Sequence, residues 1–386
     1  MKVAGKLDID TPTAPRADGS DIASAYVSPL ILRALAERPG AAIPWIEKVS
    51  GTLLMADISG FTSMSERLAE SGREGAEMLT DIINRYFTAM IDAARANGGH
   101  NLKFGGDALL LFFDGVGHAE RAARTALEMQ RENKKQPGLR IGRERHKPSV
   151  SIGVHSGEFW SVAVGEPGTR LQHVIFGDDV NRVVDAEGAA SAGEVMATPE
   201  MIGADWDVEH RGEFRLISSV RGPGQRAQPS KEPRIPSGID IEAYLPPPVL
   251  WALRGHGSAS AGEHRGVVVM FIHTTGFEGL AETQGPEAAL GQLQEYTGKL
   301  VRLIEQYGGF LASNDIYVEG VKFIVVFGAP IAREEDSANA LRLALALDSW
   351  LGQSGLALRH RIGINGGNAF AGDIGAPYRR EYTVMG

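Results

Sequence analysis

The sequence contains no cysteine, which excludes disulfides, thiolate metal ligands and cysteine nucleophiles. No uninterrupted apolar run approaches the ~20 residues of a spanning helix, so none is expected. Basic residues are not in excess: Lys and Arg total 39 against 48 Asp and Glu, a net charge of -9. General attraction to nucleic acid or to an anionic membrane is therefore not expected, and a polyanionic partner would need a local basic or metal site. The polar stretch from Met1 to Asp21, with Pro12 and Pro15, lacks the apolar core of a secretory signal. These absences make a cytoplasmic protein the expectation. At 386 residues the chain exceeds one ordinary core, so two domains are the natural prior.

What is present centres on Leu53-Leu54-Met55-Ala56-Asp57-Ile58-Ser59-Gly60-Phe61-Thr62. An apolar run ends on one carboxylate, then turns through Gly60 into Ser63-Met64-Ser65-Glu66, which reads as the capping box of a following helix. A strand delivering Asp57 to a rim beside a helix N-terminus suits a metal held together with a phosphate. An ordinary Asp capping a turn explains this stretch alone equally well. A second carboxylate shifts the balance. Asp107 lies in Leu102-Lys103-Phe104-Gly105-Gly106-Asp107-Ala108-Leu109-Leu110-Leu111-Phe112-Phe113, a hairpin pattern with a Gly-Gly turn followed by a fully apolar strand.

In chain order, Ser28 to Ala36 suggests a short helix after a flexible start. A strand carries Asp57, and an amphipathic helix follows, with Met78, Leu79, Ile82, Ile83, Tyr86, Phe87, Met90 and Ile91 at three-and-four spacing and a stop at Asn97-Gly98-Gly99. The Asp107 hairpin, a helix from His118 to Asn133, a strand over Ser149 to Val154 and a hairpin through Gly165 to Gly177 complete the unit. Helices on a mixed sheet, an α+β sandwich, is the expected class. The stretch from Val220 to Gly238 is rich in Gly, Pro, Ser, Arg and Lys and reads as a linker, with a short helix over Ile241 to Leu253.

The pattern then repeats. Gly266 to Phe277 parallels the Asp57 stretch, both ending in Gly-Phe; a helix from Pro286 to Gln306 stops at Gly308-Gly309; Val321 to Phe327 repeats the hairpin strand, and a helix follows over Ser337 to Trp350. Arg361-Ile362-Gly363-Ile364 repeats Ser151-Ile152-Gly153-Val154. The chain is read as a tandem duplication: 1–47 an N-terminal extension, 48–217 a metal-binding first copy, 218–262 a linker, and 263–386 a second copy. Two copies in one chain suggest a pseudo-symmetric pair with sites in the groove between them. Aligned on Gly60-Phe61 and Gly276-Phe277, His273 stands where Asp57 does, and Val321 falls opposite Asp107. The second copy thus lacks both hard oxygen ligands. A fold requirement would be expected to keep the pair in both copies.

Met55-Ala56-Asp57-Ile58-Ser59-Gly60-Phe61-Thr62 together with Lys103-Phe104-Gly105-Gly106-Asp107 resembles the metal-binding half of class III nucleotidyl cyclases, and Tyr382-Thr383-Val384-Met385-Gly386 resembles the start of that family's later signature. The likeness covers roughly residues 48 to 386. It is nearest to the tandem, soluble, bicarbonate-responsive adenylate cyclases. The resemblance implies two ferredoxin-like cyclase domains forming a pseudo-symmetric intramolecular heterodimer.

It further implies that Asp57, Asp107 and the backbone carbonyl of Ile58 bind two Mg²⁺ (or Mn²⁺) ions. These would activate the ribose 3′-hydroxyl and neutralise the triphosphate, while amides of Gly60, Phe61 and Thr62 cradle phosphate oxygens. ATP would become cyclic AMP and pyrophosphate, for intracellular signalling, with no protein nucleophile. Thr383 falls at a base-reading position of those enzymes, and Glu319 is aligned where they use a lysine. A carboxylate accepts from guanine rather than donating to adenine, so guanylate cyclase activity is the alternative, with Asp315 or Lys322 as other readers. A catalytically impaired sensing module is a third reading. The family's ribose-orienting Asn and transition-state Arg are expected beyond Gly386, so the sequence is read as a truncated part of a longer protein. In the first copy's signature Asn181 fits and Asp185 falls where the Arg belongs. In the bicarbonate-responsive relatives the corresponding degenerate site binds bicarbonate through a lysine equivalent to Lys103; their partner arginine aligns with Val184, with Arg182 close by.

Overall fold

The computed structural model describes residues 19–59, 64, 67–68, 72–136, 139–141, 144–222, 239–255, 262–317 and 319–385. Gly60, Phe61 and Thr62, most of the capping box, most of the linker and Gly386 lie outside them.

Two short helices, α1 (Gly19–Ser24) and α2 (Pro29–Glu37), precede the first copy. That copy comprises β1 (Trp45–Ser59), α3 (Gly72–Ala96), β2 (Gly99–Gly105), β3 (Ala108–Phe113), α4 (His118–Lys135), a small ribbon of β4 (Leu139–Ile141) and β5 (Glu144–His146), then β6 (Ser149–Glu166), β7 (Arg170–Phe176) and α5 (Asp178–Gly188). Strands β8 (Val195–Ala197), β9 (Trp206–Arg211) and β10 (Phe214–Val220) extend its sheet. The expected helix after the linker is a 3-10 turn (Glu242–Tyr244) and a separate α6 (Pro247–Leu253). Pro246 to Pro248 divide the two, since proline suits a first helical turn but not an interior.

The second copy follows with β11 (Glu263–Thr275), α7 (Phe277–Gln284), α8 (Pro286–Tyr307), β12 (Phe310–Tyr317), β13 (Gly320–Phe327), α9 (Asp336–Ser354), β14 (Arg359–Ala376) and β15 (Arg379–Met385). Strand order proves the repeat: β2-β3-β1-β6 with β7 on β6 in the first copy, and β12-β13-β11-β14-β15 in the second. Both hairpins carry a bulge at the same place, between Asn101 and Lys103 and between Leu311 and Ser313. The hairpin tips differ. Gly105 pairs with Ala108 across a two-residue turn with Gly106 at φ +68°, whereas β12–β13 continues through Ile316↔Val321 and Tyr317↔Gly320.

Each copy has its own core between sheet and helices, but the far ends of the long hairpins are exchanged. Phe370, Ile374, Ala376 and Met385 of the second copy are buried in the first copy's core beside Phe87 and Phe104. Val162, Val164, Val174 and Phe176 of the first copy are buried among Phe277, Leu293 and Tyr296 of the second. Burying four apolar side chains on each side removes several kcal/mol of exposed surface from water, at about 1.5–3 kcal/mol each. The two copies therefore share their cores.

The expectation of a flexible start to about residue 25 falls outside the described residues as far as residue 18; from Gly19 the chain is helical and then meets the second copy. Ala25 O accepts from Arg380 N at 2.7 Å, and the Tyr26 hydroxyl reaches Asp373.

Candidate active site

Asp57 lies near the end of β1, which pairs with β6 along its length and with β3 over Thr52 to Asp57. Asp57 faces Ala108 on one side and Ser151 on the other. The first central residue of the β2–β3 turn is Gly106, a position with positive φ that glycine fills without strain, and the second is Asp107. The Ile58 amide donates to Asp107 O at 3.2 Å, locking the turn to the strand end. The two carboxylates thus share one rim. Burial raises the pKa of Asp57; burial and then the charge of Asp57 push Asp107 up to about 6, with Lys322 opposing.

Two hard-oxygen donors that repel each other in a half-buried rim fit a divalent cation, which would relieve both the desolvation and the repulsion. Among the described residues no cluster of three His, Asp or Glu completes an all-protein cage. Magnesium is commonly held by one or two carboxylates with substrate phosphates and water in the remaining positions.

The register settles which residues of the second copy are equivalent. His273, the counterpart of Asp57, pairs with Lys322, as Asp57 pairs with Ala108; Val321 is therefore the counterpart of Asp107. Lys322 and Asp315 form an ion pair at 3.2 Å and both act electrostatically on Asp107. They bring the second copy's hairpin to the Asp57 rim. Thr383 is buried on β15 opposite Gly372, on the same face as Arg379 and Glu381 by the period of a strand.

Glu319 is placed elsewhere. It stands at the tip of the extended β12–β13 hairpin with φ +54° and is exposed. Its amide donates to Asn181 Oδ1 on α5, and its carbonyl accepts from His273 Nε2, each at 3.2 Å. Glu319 thus belongs to the groove of His273, with Asn181, Asp178 and Glu278 nearby, where mutual carboxylate repulsion adds to burial in pushing Glu278 up to about 7. The residue in register with Lys103 is Ser313, since both follow the bulge directly. The aligned lysine position fails at Glu319 because the hairpin is longer at its tip.

Lys103 is buried between the copies. Its ammonium donates to His173 O at 2.6 Å, to Asn314 O at 3.0 Å and to Asn314 Oδ1. Burial lowers its pKa to about 8, against the pull of Asp315 and Glu381. Beside it lies a cavity of about 70 Å³ lined by Lys103, Arg170, Gln172, His173 and Glu381 among others. Glu381, which the sequence reading did not single out, is pushed up to about 8 by burial and by Asp315. Its signal was available in the repeat, because it stands where the first copy has Gln172.

The sequence profile of the adenylate and guanylate cyclase catalytic domain matches residues 46–228 and 259–386. The chain belongs to that family, and the duplicated α+β architecture is that of class III cyclases. Adenylate cyclase type 10 of Oryctolagus cuniculus is 24% identical over 392 residues, covering 89% of this chain and 23% of the relative. The chain thus spans about a quarter of that relative's length. Adenylate cyclase 1 of Rhizobium meliloti (strain 1021) is 30% identical over 140 residues, 34% of this chain and 20% of the relative. A class III adenylyl cyclase-like ATP-binding protein from Pseudomonas aeruginosa superposes with a TM-score of 0.60 at 14% identity, over 88% of this chain and 80% of that one. That likeness is one of fold. No helix among the described residues is long and apolar enough to cross a membrane.

Proposed function

We propose that the chain is the paired catalytic core of an adenylate cyclase, cytoplasmic and acting in signalling, that converts ATP to 3′,5′-cyclic AMP and pyrophosphate. The observation that carries this reading is the asymmetry at register-equivalent positions: Asp57 and Asp107 in one copy, His273 and Val321 in the other. A purely structural carboxylate pair has no reason to be lost from one copy of the same fold.

Asp57, Asp107 and the Ile58 carbonyl would hold two Mg²⁺ or Mn²⁺ ions. Bound there, the ions supply Lewis acidity for the ribose 3′-hydroxyl and charge neutralisation for the triphosphate and leaving pyrophosphate. Gly60, Phe61 and Thr62 are proposed to cradle phosphate oxygens with their amides. From the second copy, Thr383 is proposed to meet the base, with Lys322 and Asp315 in place of Glu319. Residues 48–217 and 263–386 are the two units of this reading.

Cyclic nucleotide formation from ATP and GTP, measured side by side with Mg²⁺ and Mn²⁺, tests it. ATP is expected as the better substrate, and Asp57→Ala and Asp107→Ala are each expected to lower kcat by about 10³-fold or more, the scale of lost charge stabilisation in phosphoryl transfer. Product formation that survives in both variants overturns the assignment. A preference for GTP changes the substrate and keeps the mechanism.

Bicarbonate as a regulator at Lys103 belongs to the same reading. It is supported by the adjoining cavity, whose lining residues Arg170, Gln172 and His173 each carry a buried nitrogen with no hydrogen-bond partner among the described residues. An unchanged bicarbonate response in Lys103→Ala removes it.

A further inference from the structure

Arg170 and Arg379 stand at the same place in the repeat, as the first residues of β7 and β15. Both are buried, at 7% and 6% exposure. Each reaches across to the other copy. Arg170 donates through Nε to Leu311 O and through Nη2 to Ala312 O, both at 3.2 Å. Arg379 donates through Nε to Asn101 O at 3.0 Å and through Nη2 to Leu102 O at 2.8 Å.

Leu102 and Ala312 are the residues at which the ladder registers of the two hairpins shift. A bulge leaves its extra residue outside the regular ladder, and a buried carbonyl without a donor is costly. A planar guanidinium supplies two parallel N–H groups at a fixed spacing, which suits two successive carbonyls better than a lysine ammonium does. The same pair of guanidinium nitrogens meets the same pair of carbonyls in both directions, although the surroundings differ. Arg379 also donates from Nη1 to Ala25 O at 3.2 Å and to Arg380 O at 2.9 Å. Its guanidinium lies over the Phe104 ring at 5.3 Å.

We propose that Arg170 and Arg379 are reciprocal positioning residues: each fixes the bulge of the other copy's hairpin and so sets where that hairpin presents its polar groups. From the Arg379-held bulge the chain runs through Lys103 directly to the turn that carries Asp107. From the Arg170-held bulge it runs through Asn314, the partner of Lys103, to Asp315, the partner of Lys322. The second copy, which has His273 and Val321 where the first has Asp57 and Asp107, thereby positions Asp107 in the first. The catalytic consequence rests on the cyclase reading; the cross-copy clamp does not.

Hydrogen exchange resolved by peptide tests the clamp without any turnover. Arg379→Gln is expected to speed exchange by tenfold or more in Gly99–Gly105 of the first copy, and Arg170→Gln to do so in Phe310–Tyr317 of the second. Exchange that rises only around the substituted strand, or evenly over the chain, overturns it. Arg379→Lys, which keeps the charge but not the paired geometry, is expected to give an intermediate effect at an unchanged melting temperature. It is also expected to raise the Mg²⁺ concentration for half-maximal activity by about tenfold, with KM for ATP moved less. An unaltered Mg²⁺ requirement despite the local exchange effect rejects positioning of Asp107. Failure of both Arg379 variants to fold overturns the proposal in favour of a purely structural role. If the parent chain makes no cyclic nucleotide while the exchange pattern holds, the cyclase reading fails and the clamp stands.

Discussion

The Tyr26 hydroxyl donates a 2.5 Å hydrogen bond to Asp373 Oδ2, joining the segment ahead of the first copy to the last hairpin of the second. The other oxygen, Asp373 Oδ1, is buried with no hydrogen-bond partner among the described residues. Burial pushes the Asp373 carboxyl up to about 7, while the Tyr26 bond and the charge of Arg380 act in the opposite direction. Its folded pKa lies above the ordinary value, so the fold prefers the protonated acid. The associated stability is fully present below about pH 4 and is lost as pH rises through about 7. Denaturant midpoints at pH 5 and pH 8 should show the parent losing about 1–3 kcal/mol relative to Asp373→Asn over that interval. A difference between the two proteins that is the same at both pH values would refute the titration.

A second contact is made twice. The Gly165 amide donates to Gln294 Oε1 at 2.9 Å, and the Gly375 amide donates to Asn84 Oδ1 at 2.8 Å, so each long helix holds the turn of the other copy's arm. Gly375 has φ +114°, and a Cβ there would lie 2.3 Å from Arg379 O and 2.8 Å from the Phe104 ring. Gly168, at φ +80° in the equivalent turn, has open space around it. Gly375→Ala should therefore cost about 2–4 kcal/mol, combining strain with a clash against backbone. Gly168→Ala should cost only about 1 kcal/mol for its φ. Equal losses in chemical denaturation would mean that the turn relaxes freely.

Much of this was legible in the residues, and the rest has identifiable reasons. An apolar run ending in Asp57 and a Gly-Gly turn ahead of Asp107 are local patterns, and the backbone follows them. The duplication was legible because Gly-Phe and Gly-Gly punctuation recurs at matching places. Long-range partners were not. Nothing in the period of β14 says that Phe370 enters the other copy's core, because a strand buried by a neighbour reads like one buried by its own helices. Glu319 was misplaced because a matched sequence position assumes equal hairpin lengths, and β12–β13 is longer at the tip. The paired arginines were visible in principle: Arg170-Leu171-Gln172-His173 and Arg379-Arg380-Glu381-Tyr382 begin alike, but one arginine ahead of an apolar strand reads as an edge charge until its burial is known.

The location of Glu319 has a direct consequence for nucleotide choice. Its backbone is bound to Asn181 and His273, on the groove where Asp57 and Asp107 have no counterparts. Glu319→Ala should leave the ATP-to-GTP ratio of kcat/KM within about twofold. Lys322 is paired with Asp315 beside the Asp57 rim. Lys322→Ala should change kcat/KM for the preferred nucleotide by about tenfold or more, since a hydrogen bond to a charged group is worth about 1.5–3 kcal/mol. Side-by-side kinetics on the two variants decide the matter, and a selectivity switch in Glu319→Ala would return that residue to the base site.

The exchanged arms predict how the molecule unfolds. Phe370 is fully buried in the first copy's core although it belongs to the second, and its ring lies 6.2 Å from His264. Phe176 is its reciprocal, 1% exposed in the second copy's core and edge-on to Phe277 at 5.1 Å. Truncating either side chain should remove about 3–5 kcal/mol, as for other buried phenylalanines. Because each ring supports the neighbouring copy, Phe370→Ala and Phe176→Ala should each lower one shared calorimetric transition while keeping it single. Two independent copies would instead give two transitions, with each substitution moving only one. A parent endotherm that resolves into two peaks, or a Phe370→Ala protein in which the first copy melts unchanged, would show that the exchanged residues do not couple the copies.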